Sequence, residues 1–258
     1  MATIPDCTST QRAARTFAER WFFTSMAIVM LVVSLAGFMP AIANPGGRRA
    51  PLTLLAAAHG IVFLAWLLLF LAQSLLVATG RVGWHRRLGL TSVFLLAFII
   101  PLTYTTTIDM VRRGFDLSGD QRVDPHPHVS GALDGSTAAV FNLSGLLIFA
   151  VLSIAALLYR RRPEIHKRLM LFANIELMGP PITHLIGHIP SLSLAPPAVL
   201  APFTLFLLAA VARDYLVAKR IHPLTSALAF ALFAALPLQG AVIGPSAPWQ
   251  DFVAWLAH

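Results

Sequence analysis

Residues 162–190 read RPEIHKRLMLFANIELMGPPITHLIGHIP. The stretch opens on a basic collar of Arg162, His166, Lys167 and Arg168 and then turns apolar. Within the apolar run sit Asn174, Glu176, a Gly179-Pro180-Pro181 break, and then His184 and His188. In a soluble protein this would be an odd helix. In a bilayer, isolated ionisable groups of this kind are rare and costly, and they mark functional sites. Read as a membrane span over about 169–189, the stretch sets the class of the protein, and the chain on either side repeats the pattern.

Composition agrees. The 258 residues are 57% hydrophobic and 12% charged, with a mean hydropathy of +0.74. Soluble domains carry about twice that charged fraction. The expectation is an all-α polytopic transmembrane helix bundle forming one domain, with the lipid bilayer as its principal partner. The net charge of +8 does not signal nucleic acid, because the basic residues fall in short clusters between apolar runs. One cysteine, Cys7, excludes an intramolecular disulfide and a cysteine-based metal site. Any metal must rest on His, Asp, Glu or a haem.

Seven spans are expected, over about 21–39, 52–79, 88–111, 138–159, 169–189, 198–217 and 224–243, with an outer polar loop at 112–136. Ala41-Ile42-Ala43 has the look of a signal-peptidase site, but the preceding run is long enough to span, so the first helix reads as uncleaved. Pro237 and Gly240 weaken the seventh span. The tail from Pro248, with Trp249 and Trp255, reads as amphipathic and interfacial. With the N-terminus inside, the inner segments collect Arg12, Arg15, Arg20, Arg81, Arg86, Arg87, Arg160, Arg161, Arg162, Lys167, Arg168, Arg213, Lys219 and Arg220. Only Arg48, Arg49, Arg112, Arg113 and Arg122 fall outside. Seven spans with an inner N-terminus therefore satisfy the positive-inside rule at every loop. For a bacterial chain the inner (cytoplasmic) membrane is the natural location.

Two inner loops match. Arg81-x-x-x-His85-Arg86-Arg87-Leu88-x-Leu90 aligns with Arg162-x-x-x-His166-Lys167-Arg168-Leu169-x-Leu171. The match suggests that spans two and three and spans four and five are parallel copies. Convergence of basic loops at the head groups would give a similar pattern.

The topology sorts the histidines into layers. His85, His166 and His222 lie inside; His59, His184 and His188 lie outside, with His126 and His128 in the loop above and His258 on the tail. His166 and His188 are about 33 Å apart along a helix, so one metal cannot serve both layers. His184 and His188 stand at i and i+4, a spacing that places two imidazoles on one face. His59 and Asp109 fall at matching depth. Pro180 removes the amide that would bond the Glu176 carbonyl, which points to a cavity near Glu176. Glu176 has Asn142 or a threonine of the Thr103–Thr107 run as expected partners. For each group the ordinary alternative is packing, capping or anchoring.

The motifs His59-Gly60, Gly80-Arg81-Val82, His85-Arg86-Arg87-Leu88-Gly89 and His166-Lys167-Arg168-Leu169-Met170 resemble those of a set of uncharacterised bacterial multi-helix membrane proteins. Their layout is in turn similar to the di-haem cytochrome b561 group, over roughly residues 55–190. The resemblance implies two b-type haems held by paired histidines: His59 with His184 or His188 for an outer haem, and His85 with His166 for an inner one. It departs in its fourth span, which has Asn142 and no histidine.

Three functions are consistent with these readings. The first is electron transfer through haem b, with a redox partner and with Trp66, Phe94, Tyr104 and Phe172 near the cofactor. The second is a zinc hydrolase with His59, His184 and His188 as ligands and Asp109 or Glu176 as base. In outline it resembles the alkaline ceramidase and adiponectin-receptor group, although here the HxxxH pair lies on the fifth span. The third is a transporter or membrane assembly subunit without cofactor, built on Glu176 and the broken fifth helix.

Overall fold

A computed structural model describes residues 19–124, 133–189 and 196–257. It is an all-α bundle of α1 (Phe22–Ala43), α2 (Leu54–Ala78), α3 (Val82–Leu88), α4 (Leu90–Arg113), α5 (Gly135–Leu158), α6 (Pro163–Glu176), α7 (Gly179–Gly187), α8 (Pro196–Ala218), α9 (Pro223–Leu238) and α10 (Ala247–Ala257). Among the described residues, seven helical segments are long and apolar enough to cross a membrane. The third pairs α3 with α4, and the fifth pairs α6 with α7. Among the described residues, strand pairing is confined to two-residue segments, Val123–Asp124 against Leu133–Asp134, and one bridge between Phe115 and Arg122. His126 and His128 of the same loop, and His258, fall outside the described residues.

Local chemistry sets the helix limits. Thr53 caps α2, its hydroxyl accepting from the Ala56 amide at 3.1 Å. Gly114 ends α4 in the left-handed conformation, φ 69°, which glycine adopts without strain. Pro163 and Pro223 open α6 and α9, where a missing amide costs nothing. The expected spans shift by a few residues as a result. The first runs through Pro40 to Ala43. The third gains the short helix α3 ahead of Gly89. The seventh continues past Leu238 as a π-turn over Gln239–Ile243, closed by Gly244 N–H donating to the Gln239 carbonyl at 2.8 Å. That irregular turn lies tightly on α5: a Cβ on Gly244 would stand 2.8 Å from Thr137 Oγ1. The weakness that Pro237 and Gly240 introduce is thus a close helix–helix contact. The tail forms α10, which buries Val253 and Leu256 and leaves Trp255 exposed. Its Trp249 Nε1 donates to the Ser136 carbonyl at 2.8 Å.

The fifth span is the axle of the bundle. It is the least apolar of the seven, at 1.3 on the hydropathy scale, and the most enclosed, with 61% of its core buried in protein. Phe172, Ile175 and Met178 are fully buried with Met30, Trp66, Phe149 and Phe203. Trp66 Nε1 donates to Asn174 Oδ1 at 3.1 Å, and the Asn174 amide donates to the Met170 carbonyl at 2.8 Å. At the break, Met178 N–H turns back to the Ile175 carbonyl at 3.0 Å, a tight three-residue turn. Pro180 and Pro181 offer no amide to the carbonyls of Glu176 and Leu177.

Helix α1 presses against the break. A Cβ added at Gly37 would sit 2.5 Å from the Pro181 carbonyl oxygen. Backbone on both sides leaves no rotamer to yield. Gly37→Ala is therefore expected to destabilise the protein by about 1–3 kcal/mol. Thermal unfolding in detergent would show it, and an unchanged midpoint would refute this packing.

Candidate functional site

The basic end of the bundle carries the matched loops. Arg81 and Arg162, equivalent in the two loops, are the N-caps of α3 and α6. Each is followed four residues later by a histidine, and those two rings meet: the His85 and His166 centroids lie 6.3 Å apart with planes at 79°. His166 Nδ1 lies 2.8 Å from the Ala156 carbonyl. A carbonyl only accepts, so Nδ1 carries a proton and any ligand bond must come from Nε2. His85 Nδ1 is buried with no hydrogen-bond partner.

Beside this pair lies a buried ionic cluster tying α6, α8 and α9 together. Arg168 grips Asp214 through both oxygens, at 2.7 and 3.2 Å. The same guanidinium reaches Thr225 Oγ1 at 3.0 Å, and Glu164 through its carbonyl and a carboxylate oxygen, both at 2.7 Å. Asp214 also accepts from Thr225 Oγ1 at 2.5 Å, Arg213 at 2.9 Å and the His222 amide at 3.3 Å. Arg213 in addition covers the Phe23 ring at 5.3 Å. Every oxygen of Asp214 is satisfied, as a buried carboxylate requires. Asp214 did not emerge from the motif reading. The signal for it is a lone acid beside an arginine at the end of an otherwise apolar span.

No family model, curated protein or solved structure matches the chain. The functional reading therefore rests on the geometry of its own residues.

At the opposite end the candidate ligands point at protein partners. His59 Nδ1 lies 3.3 Å from Thr106 Oγ1, and its ring packs on Phe63 at 4.4 Å. Thr106 spends its only hydroxyl proton on the carbonyls of Leu102 and Thr103, at 2.8 and 3.0 Å, so it accepts from His59. His184 Nε2 lies 3.4 Å from Asp116 Oδ2, with its ring against Phe38 at 4.6 Å. Asp116 is fixed by the amides of Ser118 at 3.1 Å and Gln121 at 2.7 Å and by the Ser118 hydroxyl. His188 is the C-cap of α7, and its Nε2 donates to the Gly37 carbonyl at 2.8 Å. The two histidines spaced for one helix face thus reach different elements. Asp109 pairs with Arg113, Oδ2 to Nε 2.8 Å; the atoms are close but misaligned for a hydrogen bond. Among the described residues, no three His, Cys, Asp or Glu side chains gather as a metal-binding group, so His59, His184, His188 and Asp109 are not assembled as one.

Midway between the layers stands Glu176. Its expected partner Asn142 donates instead to Met110 Sδ at 3.4 Å. The hydroxyls of Thr105, Thr106 and Thr107 turn back to carbonyls of their own helix. A Cβ on Gly145 would stand 3.3 Å from Glu176 Oε1, so the carboxylate lies against the bare backbone of α5. Of the four aromatic residues expected near a cofactor, Trp66 and Phe172 are fully buried, while Phe94 and Tyr104 are 67% and 44% exposed, on the bundle's outer surface.

Proposed function

We propose that the protein is a b-type haem redox protein of the cytoplasmic membrane, in which His85 and His166 would hold the haem. The observation that carries this reading is the separation of the two imidazoles. Two metal–nitrogen bonds of about 2 Å, with about 1 Å from each nitrogen to its ring centre, total roughly 6 Å; the ring centres stand 6.3 Å apart. The donors suit the group: His166 Nε2 has no hydrogen-bond partner among the described residues, and His85 keeps an unpartnered Nδ1 while its ring also meets the Gln73 backbone. Haem held there would supply one-electron chemistry. The Ala156 carbonyl orients the His166 ring. Exposed Arg86 and Arg87 on α3 would steer an acidic redox partner to the same end. One nitrogen each of His59, His184 and His188 meets a protein partner, and among the described residues they do not gather as a metal-binding group, whereas the His85 and His166 rings stand face to edge; the inner pair is therefore the site proposed.

The test is an absorption spectrum of detergent-purified protein, oxidised and then dithionite-reduced, with metal analysis of the same sample. A Soret band, sharp reduced α-band and stoichiometric iron are expected. A featureless spectrum from a monodisperse, iron-free sample would refute the reading. It would leave the cofactor-free carrier, which the unpaired Glu176 favours.

A further inference from the structure

Four acidic side chains lie within the spans: Asp109, Glu164, Glu176 and Asp214. Three have a cation. Asp109 has Arg113; Glu164 has Lys167 and Arg168; Asp214 has Arg168 and Arg213. Glu176 has none, and no hydrogen bond among the described residues reaches its carboxylate.

Its position makes this unusual. Glu176 lies about 20 Å along the helix from Pro163 and about 17 Å from Gly187, near the middle of the span. It is the last residue of α6, one turn before the Gly179-Pro180-Pro181 break. The prolines leave the carbonyls of Glu176 and Leu177 without helix amides. Carboxylate and freed carbonyls together make a patch of acceptors without a donor. Irregular backbone at membrane depth is tolerated where it is packed in protein or lines an ion path; here Met178 and Pro181 are buried, Glu176, Leu177 and Gly179 are half-buried, and Pro180 is exposed.

Among the described residues, the surrounding elements supply no charge to balance it. Helices α1, α5 and α9 contain no Asp, Glu, Lys, Arg or His. On α8, Arg213 and Asp214 are committed to each other and to Arg168, which stands about 12 Å along α6 toward the basic end. On α7, His184 faces Asp116 a similar distance the other way. On α2, His59 faces Thr106; on α4, Asp109 faces Arg113.

We propose that Glu176 is a proton-binding site in the middle of the membrane, at the break of the fifth span. A proton supplies both the missing charge and the missing donor. This inference does not depend on the haem reading, and either can fail alone.

The test uses the full chain reconstituted in lipid. Infrared difference spectra between acid and alkaline buffer should show a carboxylic C=O band exchanged for carboxylate bands, and Glu176→Gln should lose that pair. In parallel, dicyclohexylcarbodiimide, which attacks protonated carboxyls from the lipid phase, should label the wild-type peptide carrying Glu176, with labelling suppressed in alkaline buffer. The proposal fails if wild type and Glu176→Gln give the same difference spectrum. It also fails if the wild type carries no adduct at 176. The labelling decides the matter even if Glu176→Gln does not fold.

Discussion

Asp214→Ala is expected to be the most destabilising single substitution in the bundle, at about 3–5 kcal/mol. The cost arises less from the lost attraction than from what is left behind. Arg168 and Arg213, with side chains 7% and 6% exposed, would face each other without their shared counter-charge. Glu164 cannot replace it, because its own side chain is 62% exposed and its attraction is screened. Thr225 and the His222 amide would lose an acceptor as well. A double variant, Arg168→Met with Asp214→Leu, should recover part of the loss, since apolar replacement of both partners of a buried pair is often tolerated. Thermal unfolding of the three proteins in one detergent measures the order. A melt of Asp214→Ala that overlays wild type would show that the cluster contributes little.

His166→Ala is expected to reduce bound haem by more than tenfold. Loss of a supporting outer contact alone costs about 10–100-fold in metal affinity, and here a ligand itself is removed. His85→Ala should do the same, whereas His188→Ala should retain a full Soret band. The last comparison separates ligation from folding, because His188 holds α7 to the Gly37 carbonyl of α1. Its loss should lower the melting temperature without bleaching the protein. A His166→Ala protein with undiminished Soret absorbance would show that His166 does not hold the haem.

Much of the architecture was legible in the chain. The apolar runs and the alternation of basic loops give the seven spans, because bilayer thickness and head-group charge act on local composition. The two loops match in sequence, and both Arg81 and Arg162 fall on N-caps. The site was legible only in part. The spacing of His184 and His188 says that they share a helix face, not that one reaches Asp116 and the other Gly37, 151 residues away in sequence. Asn142 and Glu176 have matching depth, but depth does not set the direction of a side chain. Asp214 was missed because its partners lie 46, 11 and 8 residues away or on the neighbouring position. No short motif encodes that convergence.

The enclosure of the fifth span bears on how the chain enters the membrane. A segment carrying Glu164, Lys167 and Arg168 at its start, Glu176 near its middle and two histidines is a poor substrate for independent insertion, since a charge near the centre of a helix costs about 2.5–3.5 kcal/mol at the translocon. Its flanking spans are more apolar and partition readily. The sixth carries Asp214, the counter-charge for Arg168. The fifth span is therefore expected to settle only once the sixth has been synthesised, with assembly in this region paired rather than strictly sequential. Ribosome-bound chains truncated between residues 189 and 213 would hold the fifth span accessible to water, and longer ones would bury it.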